Sequence, residues 1–397
     1  MVVQEKILRN VCISAHPQGC REYVNREVAF VDKAMSENTE RYPRLESTPM
    51  NVLVLGCSTG YGLSSRIVSA MGMGASTLGV CFERTPTARK PATPGWYNTK
   101  VFEELAQERG LYAKTINGDA FSDEVKKSVC ETIKNDLGKI DLVIYSLASP
   151  VRTDPKTGIM YKSVLKPIGK PFKELSINTK TGILEKASFE TATEEQVEAT
   201  RKVMGGEDWK LWMECLIEND LVSDNFKTVA YSYIGPKITF PIYREGTIGK
   251  AKEDLESSVD EINSLISKKG GKAFISVNKA LVTRASAVIP VVPLYTAILY
   301  KVMEDKGIHE DCIEQIYRLF STKLPSESTD EQGRIRLDDW EMREDVQEAV
   351  ETIWKTLKEG EEFTQGDLVR FREDYSHLHG FGYKDIDYSK DVDLERP

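Results

Sequence analysis

The stretch NVLVLGCSTGYGLSSR, Asn51 to Arg66, decides the fold. An apolar run, Val52-Leu53-Val54-Leu55, reads as a strand, and three glycines, Gly56, Gly60 and Gly62, follow it at once. Glycine alone tolerates left-handed dihedrals cheaply, so the cluster fits a tight strand-to-helix turn of an α/β fold. It fits equally a dinucleotide cradle, in which backbone approaches a pyrophosphate and the next helix offers its unpaired N–H groups. The spacing is G-x3-G-x-G, not the best-known G-x-G-x-x-G, so the rest of the chain must choose between the two.

The surrounding pattern supports alternation. After the turn, SSRIVSAM (64–71) has helical apolar spacing, and STLGVCF (76–82) is the next strand, ending at Glu83. VFEELAQERG (101–110) is helical with a glycine suited to a C-cap. LYAKTINGDAF (111–121) reads as a strand, a polar-apolar helix follows, and KIDLVIYSLASP (139–150) is the fourth strand. Apolar runs alternating with helices predict a parallel sheet with right-handed crossovers. From Pro150 to about Ala192 the rhythm breaks, with KTGIM and NTKTGIL resembling hairpin turns, so 150–192 is expected to be an insertion carrying short strands. The alternation resumes with KTVAYSYIG (227–235) and KAFISVNKALVT (272–283), and from 290 to 397 the chain is mainly helical. Residues 1–47 are expected to add a strand and a helix ahead of the nucleotide unit, within a single domain spanning 1–397.

Composition narrows the classes. The 397 residues, 40% apolar, suffice for a substantial core, and 53 basic against 62 acidic residues leave a net charge of −9. A mildly acidic surface argues against nucleic acid as a partner. Seven scattered cysteines without a C-x-x-C pair suit free thiols in a reduced compartment. MVVQEKILRN has no apolar signal core and no run reaches membrane-spanning length, so a cytoplasmic protein without membrane insertion is expected. Of four histidines, His377 and His379 form an H-x-H pair, read as a polar surface loop in preference to metal ligands, and His16 before Pro17 reads as a turn or packing residue. No metal is expected.

Three features gather around the opening motif. Glu83 ends the second strand, where a carboxylate can accept hydrogen bonds from ribose hydroxyls and repel a 2′-phosphate, although the neighbouring Arg84 could bind that phosphate. Asp119-Ala120 and Leu147-Ala148 lie at the carboxyl ends of later strands, where open α/β sheets place ligands; Asp119 fits a helix N-cap equally well. In AYSYIGPKITFPIYREGTIGKAKEDLE (230–256), Tyr231, Tyr233 and Tyr243 precede Lys250 and Lys252. A tyrosine with a nearby lysine suits a nicotinamide-dependent reductase, the phenol donating to a substrate carbonyl and the ammonium binding ribose. Were Tyr243 helical, Lys250 at i+7 would share its face. Gly246 and Gly249 make an approach loop the better reading, and then periodicity cannot choose between the lysines.

These residues are recognisable together. HPQGC, GCSTGYGLSSR, GWYN, NGDAFSDE, YSLASPVR, VMGGEDW, AYSYIGP, YREGTIGKAK, LVTRASAVIPVVPLY and DDWEMREDVQ extend over nearly the whole chain. The chain resembles the NADH-dependent trans-2-enoyl thioester reductases of the FabV/TER type, a branch near the short-chain dehydrogenases. That resemblance implies an α/β fold with a Rossmann-type, doubly wound, mostly parallel sheet, an enlarged substrate-binding portion and a helical C-terminal region. It implies a Tyr-x8-Lys pair, making Tyr243 the catalytic acid, Lys252 the cofactor-binding lysine and Tyr233 a substrate contact. It implies an NADH site formed by Gly56, Cys57, Ser58, Thr59, Gly60, Tyr61, Phe82, Glu83, Asp119, Ala120, Leu147, Ala148, Leu281, Val282 and Thr283. The implied reaction is reduction of the carbon–carbon double bond of an enoyl thioester carried on coenzyme A or acyl carrier protein, in fatty acid synthesis, by a monomer or weak oligomer. The alternatives are a non-catalytic nucleotide-binding regulator, against which the intact Tyr243 and Lys252 argue, and, within enzymes, a carbonyl-reducing short-chain dehydrogenase.

Overall fold

Both faces of the central strands are buried, which is why their sequences read as unbroken apolar runs. In the computed structural model, which describes residues 1–8, 11–287 and 289–397, Val52 and Val54 pack with Leu63, Ile67, Phe102 and Ile316. The alternate residues Leu53 and Leu55 pack on the opposite face with Trp209, Trp212, Leu216 and Leu255.

Numbering only the strands of the main sheet, these are β1 (Asn51–Leu55), β2 (Ser76–Cys81), β3 (Ala113–Asn117), β4 (Ile140–Tyr145), β5 (Val222–Ser232), β6 (Lys272–Val277) and β7 (Arg334–Arg336). Their spatial order is β7-β6-β5-β4-β1-β2-β3, and every pairing in the sheet is parallel. The chain winds outward from β1 through β2 and β3, then returns to place β4 on the other side of β1. This doubly wound arrangement leaves a crevice at the carboxyl ends of β1 and β4, where the strand order reverses.

Helices Pro17–Glu37, Gly60–Ile67 and Pro94–Glu108 cover one face; Asp123–Thr132, Glu207–Glu218 and Thr247–Ile266 cover the other. Arg66, the last residue of the opening motif, is fully buried. Its guanidinium donates to Thr115 Oγ1 (2.6 Å), the Lys114 carbonyl (2.7 Å) and Thr77 Oγ1 (3.2 Å), tying the glycine-turn helix to β2 and β3. A third core lies over the carboxyl edge of the sheet. There Val292–Asp305 packs with helices Glu344–Thr356 and Leu368–His377 and with Ile177 and Leu184.

The insertion forms two antiparallel hairpins, Val151–Thr153 with Met160–Lys162 and Phe172–Ile177 with Leu184–Phe189. Gly158 and Gly182 turn them with φ of 72° and 79°. The strand expected within 1–47 is only Ile7–Leu8 paired with Val11–Cys12, outside the main sheet. His16 accepts from the Gly19 amide as the N-cap of the first long helix. The H-x-H expectation is corrected: His377 ends a helix and stacks on Tyr383, while His379 is buried and its Nδ1 lies 3.0 Å from the Tyr375 carbonyl. No helix among the described residues is long and apolar enough to cross a membrane.

Candidate active site

The turn after β1 is as tight as three glycines allow. Gly56 has φ +85°, and a side chain there would meet the Ser146 carbonyl oxygen at 2.3 Å. A Cβ at Gly62 would lie 1.9 Å from the Gly56 carbonyl oxygen, so the helix starts hard against the turn. Thr59, the N-cap residue, makes no side-chain capping hydrogen bond. The start of Gly60–Ile67 thus lies uncapped by Thr59 at the sheet's switch point, where aligned N–H groups can stabilise a pyrophosphate. This cradle fits a dinucleotide.

The other residues expected for the cofactor lie along the same edge. Phe82 and Glu83 follow β2, Asp119 and Ala120 follow β3, Leu147 and Ala148 follow β4, and Leu281, Val282 and Thr283 follow β6. Phe82 exposes 79% of its surface, leaving a bare ring at the carboxyl end of β2. Cys57 is fully buried and Ser58 nearly so, and Ser58 Oγ donates to Glu83 Oε1 (2.7 Å). Tyr61 turns inward, its phenol donating to the Lys279 carbonyl (2.8 Å). The N-cap alternative for Asp119 does not hold: Ser122 caps Asp123–Thr132, while Asp119 Oδ1 accepts from the Phe121 amide in a tight turn. Val288, inside the quoted 281–295 motif, lies outside the described residues.

Sequence reasoning did not find Arg284. Its Nη1 lies 3.1 Å and 3.4 Å from the two Glu83 carboxylate oxygens, whereas the guanidinium of Arg84, the neighbour expected to compete, donates to the Pro91 carbonyl at 3.4 Å. The two residues are 201 positions apart, so no local signal could have joined them.

Tyr243 sits on the approach loop, not in a helix. Its amide donates to the Thr239 carbonyl (2.9 Å), and its own carbonyl accepts from the amides of Gly246 and Gly249 (3.2 and 2.9 Å). A side chain at Gly249 would meet the Arg244 carbonyl oxygen at 1.8 Å, so glycine lets Thr247–Ile266 begin directly beneath this loop. The insertion braces it, with the Thr247 amide donating to the Lys166 carbonyl (3.0 Å). The phenolic oxygen of Tyr243 makes no hydrogen bond with the described residues, and its ring meets Tyr233 edge-on at 5.0 Å. Burial raises the phenol above its ordinary value, so it is a neutral O–H donor at physiological pH.

The lysines separate clearly. Lys250 is exposed and pairs with Glu253 (2.8 Å). Lys252 points back to the sheet and donates to the Tyr231 carbonyl at the end of β5 (3.1 Å). Burial lowers its pKa to about 8, partly opposed by Glu256. Tyr231 itself is occupied elsewhere, its hydroxyl 2.6 Å from Ser65 Oγ under the glycine-turn helix.

The fold and this edge define a Rossmann-type nicotinamide-nucleotide oxidoreductase. Residues 90–325 match the family model of the trans-2-enoyl-CoA reductase catalytic region, and residues 2–88 match the NAD(P)H binding domain of trans-2-enoyl-CoA reductase. Residues 329–392 match an enoyl reductase FAD binding domain. The chain is 48% identical to a Marinomonas protein named enoyl-acyl-carrier-protein reductase (NADH), covering 100% of this chain and 98% of that one. It is also 48% identical to a Coxiella burnetii protein of the same name, with coverage of 100% and 97%. The crystal structure of Treponema denticola trans-2-enoyl-CoA reductase in complex with NAD is 49% identical and superimposes with a TM-score of 0.93, covering 100% of this chain and 98% of that one. The Clostridium acetobutulicum trans-2-enoyl-CoA reductase in complex with NADH is 45% identical, with a TM-score of 0.93 and the same coverage. The chain belongs to the trans-2-enoyl-CoA reductase family.

The FAD description does not fit the segment it covers. Residues 329–392 supply β7 and two helices whose Val346, Val350, Trp354, Leu368 and Phe371 are buried in the third core. No glycine lies between Gly333 and Gly360, so β7 does not feed a helix through a turn like that after β1.

Proposed function

We propose that this chain is an NADH-dependent reductase of trans-2-enoyl thioesters, with Tyr243 as its acid. What carries the reading is the Tyr233–Tyr243 pair on the approach loop, with Lys252 returning to the end of β5 beside the dinucleotide cradle. Residues 56–61, 82–83, 119–120, 147–148 and 281–283 hold NADH, and Lys252 binds its nicotinamide ribose. Bound NADH supplies a hydride to Cβ of the enoyl group. Tyr243 donates a hydrogen bond to the thioester carbonyl, which makes Cβ electrophilic and stabilises the enolate oxygen as charge develops. Tyr233 packs against the acyl thioester, and a proton then reaches Cα to complete the saturated product.

Residues 1–397 act as one reductase unit, because Lys166, between the two hairpins of 150–192, braces the end of the Tyr243 loop and the C-terminal helices close the carboxyl edge of the sheet. The substrate is an enoyl thioester on coenzyme A, with acyl carrier protein as the second carrier, and the enzyme works in the cytoplasm as a monomer or weak oligomer. NADH oxidation with matched crotonyl-CoA and crotonyl-carrier-protein tests this. Turnover of both or of the CoA thioester alone is expected; turnover of neither overturns the reading.

A further inference from the structure

Behind Tyr233 lies a fully buried carboxylate that the reaction as described does not use, Glu341. Its Oε1 accepts from the Tyr295 phenol (2.7 Å) and from the Tyr233 phenol (3.4 Å). Its Oε2 accepts from the Ala280 amide (2.8 Å), at the start of the segment that presents Leu281, Val282 and Thr283. Gln347 locks this arrangement, its Nε2 donating to the Glu341 carbonyl (2.7 Å) and to the Tyr295 phenol (3.2 Å).

We propose that Glu341 is a positioning residue for the reduction: one carboxylate sets the Tyr233 phenol, and through it the ring that meets Tyr243, while anchoring the 280–283 backbone. This rests on the reading of Tyr243 and Tyr233 given above. The 280–283 segment is suspended from side chains along its length: besides Ala280, the Lys279 amide donates to Gln315 Oε1 (3.0 Å), Val282 to Tyr300 Oη (3.0 Å) and Thr283 to Ser286 Oγ (2.9 Å). Of these partners, only Glu341 also touches the tyrosine pair, so it sets the spacing between the cofactor segment and the substrate contact.

A carboxylate is an expensive way to fill a core. Burial pushes its pKa up to about 7, opposed by the Ala280 amide, by the buried Lys279 ammonium and by Tyr295; Asp338 adds repulsion. Lys279 does not neutralise it directly, its Nζ donating instead to the Ala280 carbonyl (3.1 Å). An apolar residue would pack this site at less cost but could not accept from two phenols and an amide together.

The test is a double-mutant cycle in the full-length enzyme with crotonyl-CoA and NADH. Glu341→Gln keeps an acceptor for the Ala280 amide while disturbing the phenols. It is expected to lower kcat/KM for crotonyl-CoA by about 10-fold, with KM for NADH nearly unchanged. In the Tyr233→Phe background the same change is expected to cost less than about 2-fold, because its target phenol is gone. Equal losses in both backgrounds, or no loss in either, would overturn the proposal. If Glu341→Gln does not fold, as judged by NADH binding and thermal melting, Glu341→Asp carries the same cycle, expectations and criterion. Tyr243→Phe separates the two readings. If it stays active, the catalytic assignment falls and this proposal with it; if it is inactive and the cycle additive, only the role of Glu341 falls.

Discussion

The guanidinium of Arg284 lies 3.1 Å from the Glu83 carboxylate just beyond the carboxyl end of β2, where the adenosine ribose of NADH is proposed to lie. A carboxylate there disfavours a 2′-phosphate, but it is already paired with a cation that could accept one. The Glu83 side chain is 7% exposed, also receives the Ser58 hydroxyl, and holds Arg284 in a contact unfavourable to a second anion.

NADH is therefore expected to be preferred over NADPH by about 10-fold or more in kcat/KM. Glu83→Gln should narrow that preference by freeing Arg284 for the phosphate. Steady-state kinetics with both cofactors checks this, and an unchanged preference in Glu83→Gln would show that the pair does not set cofactor choice.

The two lysines should differ sharply. Lys252→Ala is expected to raise KM for NADH and lower kcat together, because an ammonium on the nicotinamide ribose contributes both binding and orientation. Lys250→Ala removes an exposed pair with Glu253, of a kind worth roughly 0–1 kcal/mol, and should stay within about 2-fold of wild type. Kinetics on the two variants side by side, with NADH varied, decides; a crippled Lys250→Ala beside a normal Lys252→Ala would reverse the assignment.

The same lysine gives a pH dependence. Burial lowers Lys252 from 10.5 to about 8, so the ammonium is present below that pH and lost above it. NADH affinity that needs the charge is full at neutral pH and falls as pH rises through about 8. Titrating NADH binding by fluorescence across this range should show the decline in wild type and not in Lys252→Ala. A flat wild-type profile would contradict it.

Gly62→Ala tests the turn. Its Cβ would lie 1.9 Å from the Gly56 carbonyl oxygen, and neither backbone can yield without moving the cradle. A loss on the order of 1–3 kcal/mol is expected, seen as a lower Tm, together with weaker NADH binding. An unchanged Tm would mean that the helix does not pack on the turn as described.

How far the sequence could be read follows from where its signals are local. Strands β1, β2 and β4 declare themselves because both faces are buried along most of their length, so Val52–Leu55, Leu78–Cys81 and Leu142–Tyr145 carry no charged side chain. Gly56 and Gly62 mark a turn whose geometry only glycine tolerates. Helical periodicity does not choose between Lys250 and Lys252, because Gly246 and Gly249 interrupt it between Tyr243 and the lysines; the Tyr-x8-Lys resemblance alone points to Lys252. Asp119 resembles an N-cap until Ser122, three residues on, is seen to take that place. The pairings of Glu83 with Arg284 and of Tyr233 with Glu341 join residues 201 and 108 positions apart, and only the closing of the third core over the sheet edge brings them together.

If Tyr243 polarises an enoyl thioester for hydride attack at Cβ, turnover depends on its phenol. Wild type and Tyr243→Phe are assayed for NADH oxidation with crotonyl-CoA and with a ketoacyl thioester. The expected result is turnover of crotonyl-CoA alone, lowered by about 10²-fold or more in Tyr243→Phe, the scale for losing one oxyanion donor, with NADH affinity largely kept. Near-wild-type turnover of crotonyl-CoA by Tyr243→Phe, or wild-type activity confined to the ketoacyl thioester, would contradict it.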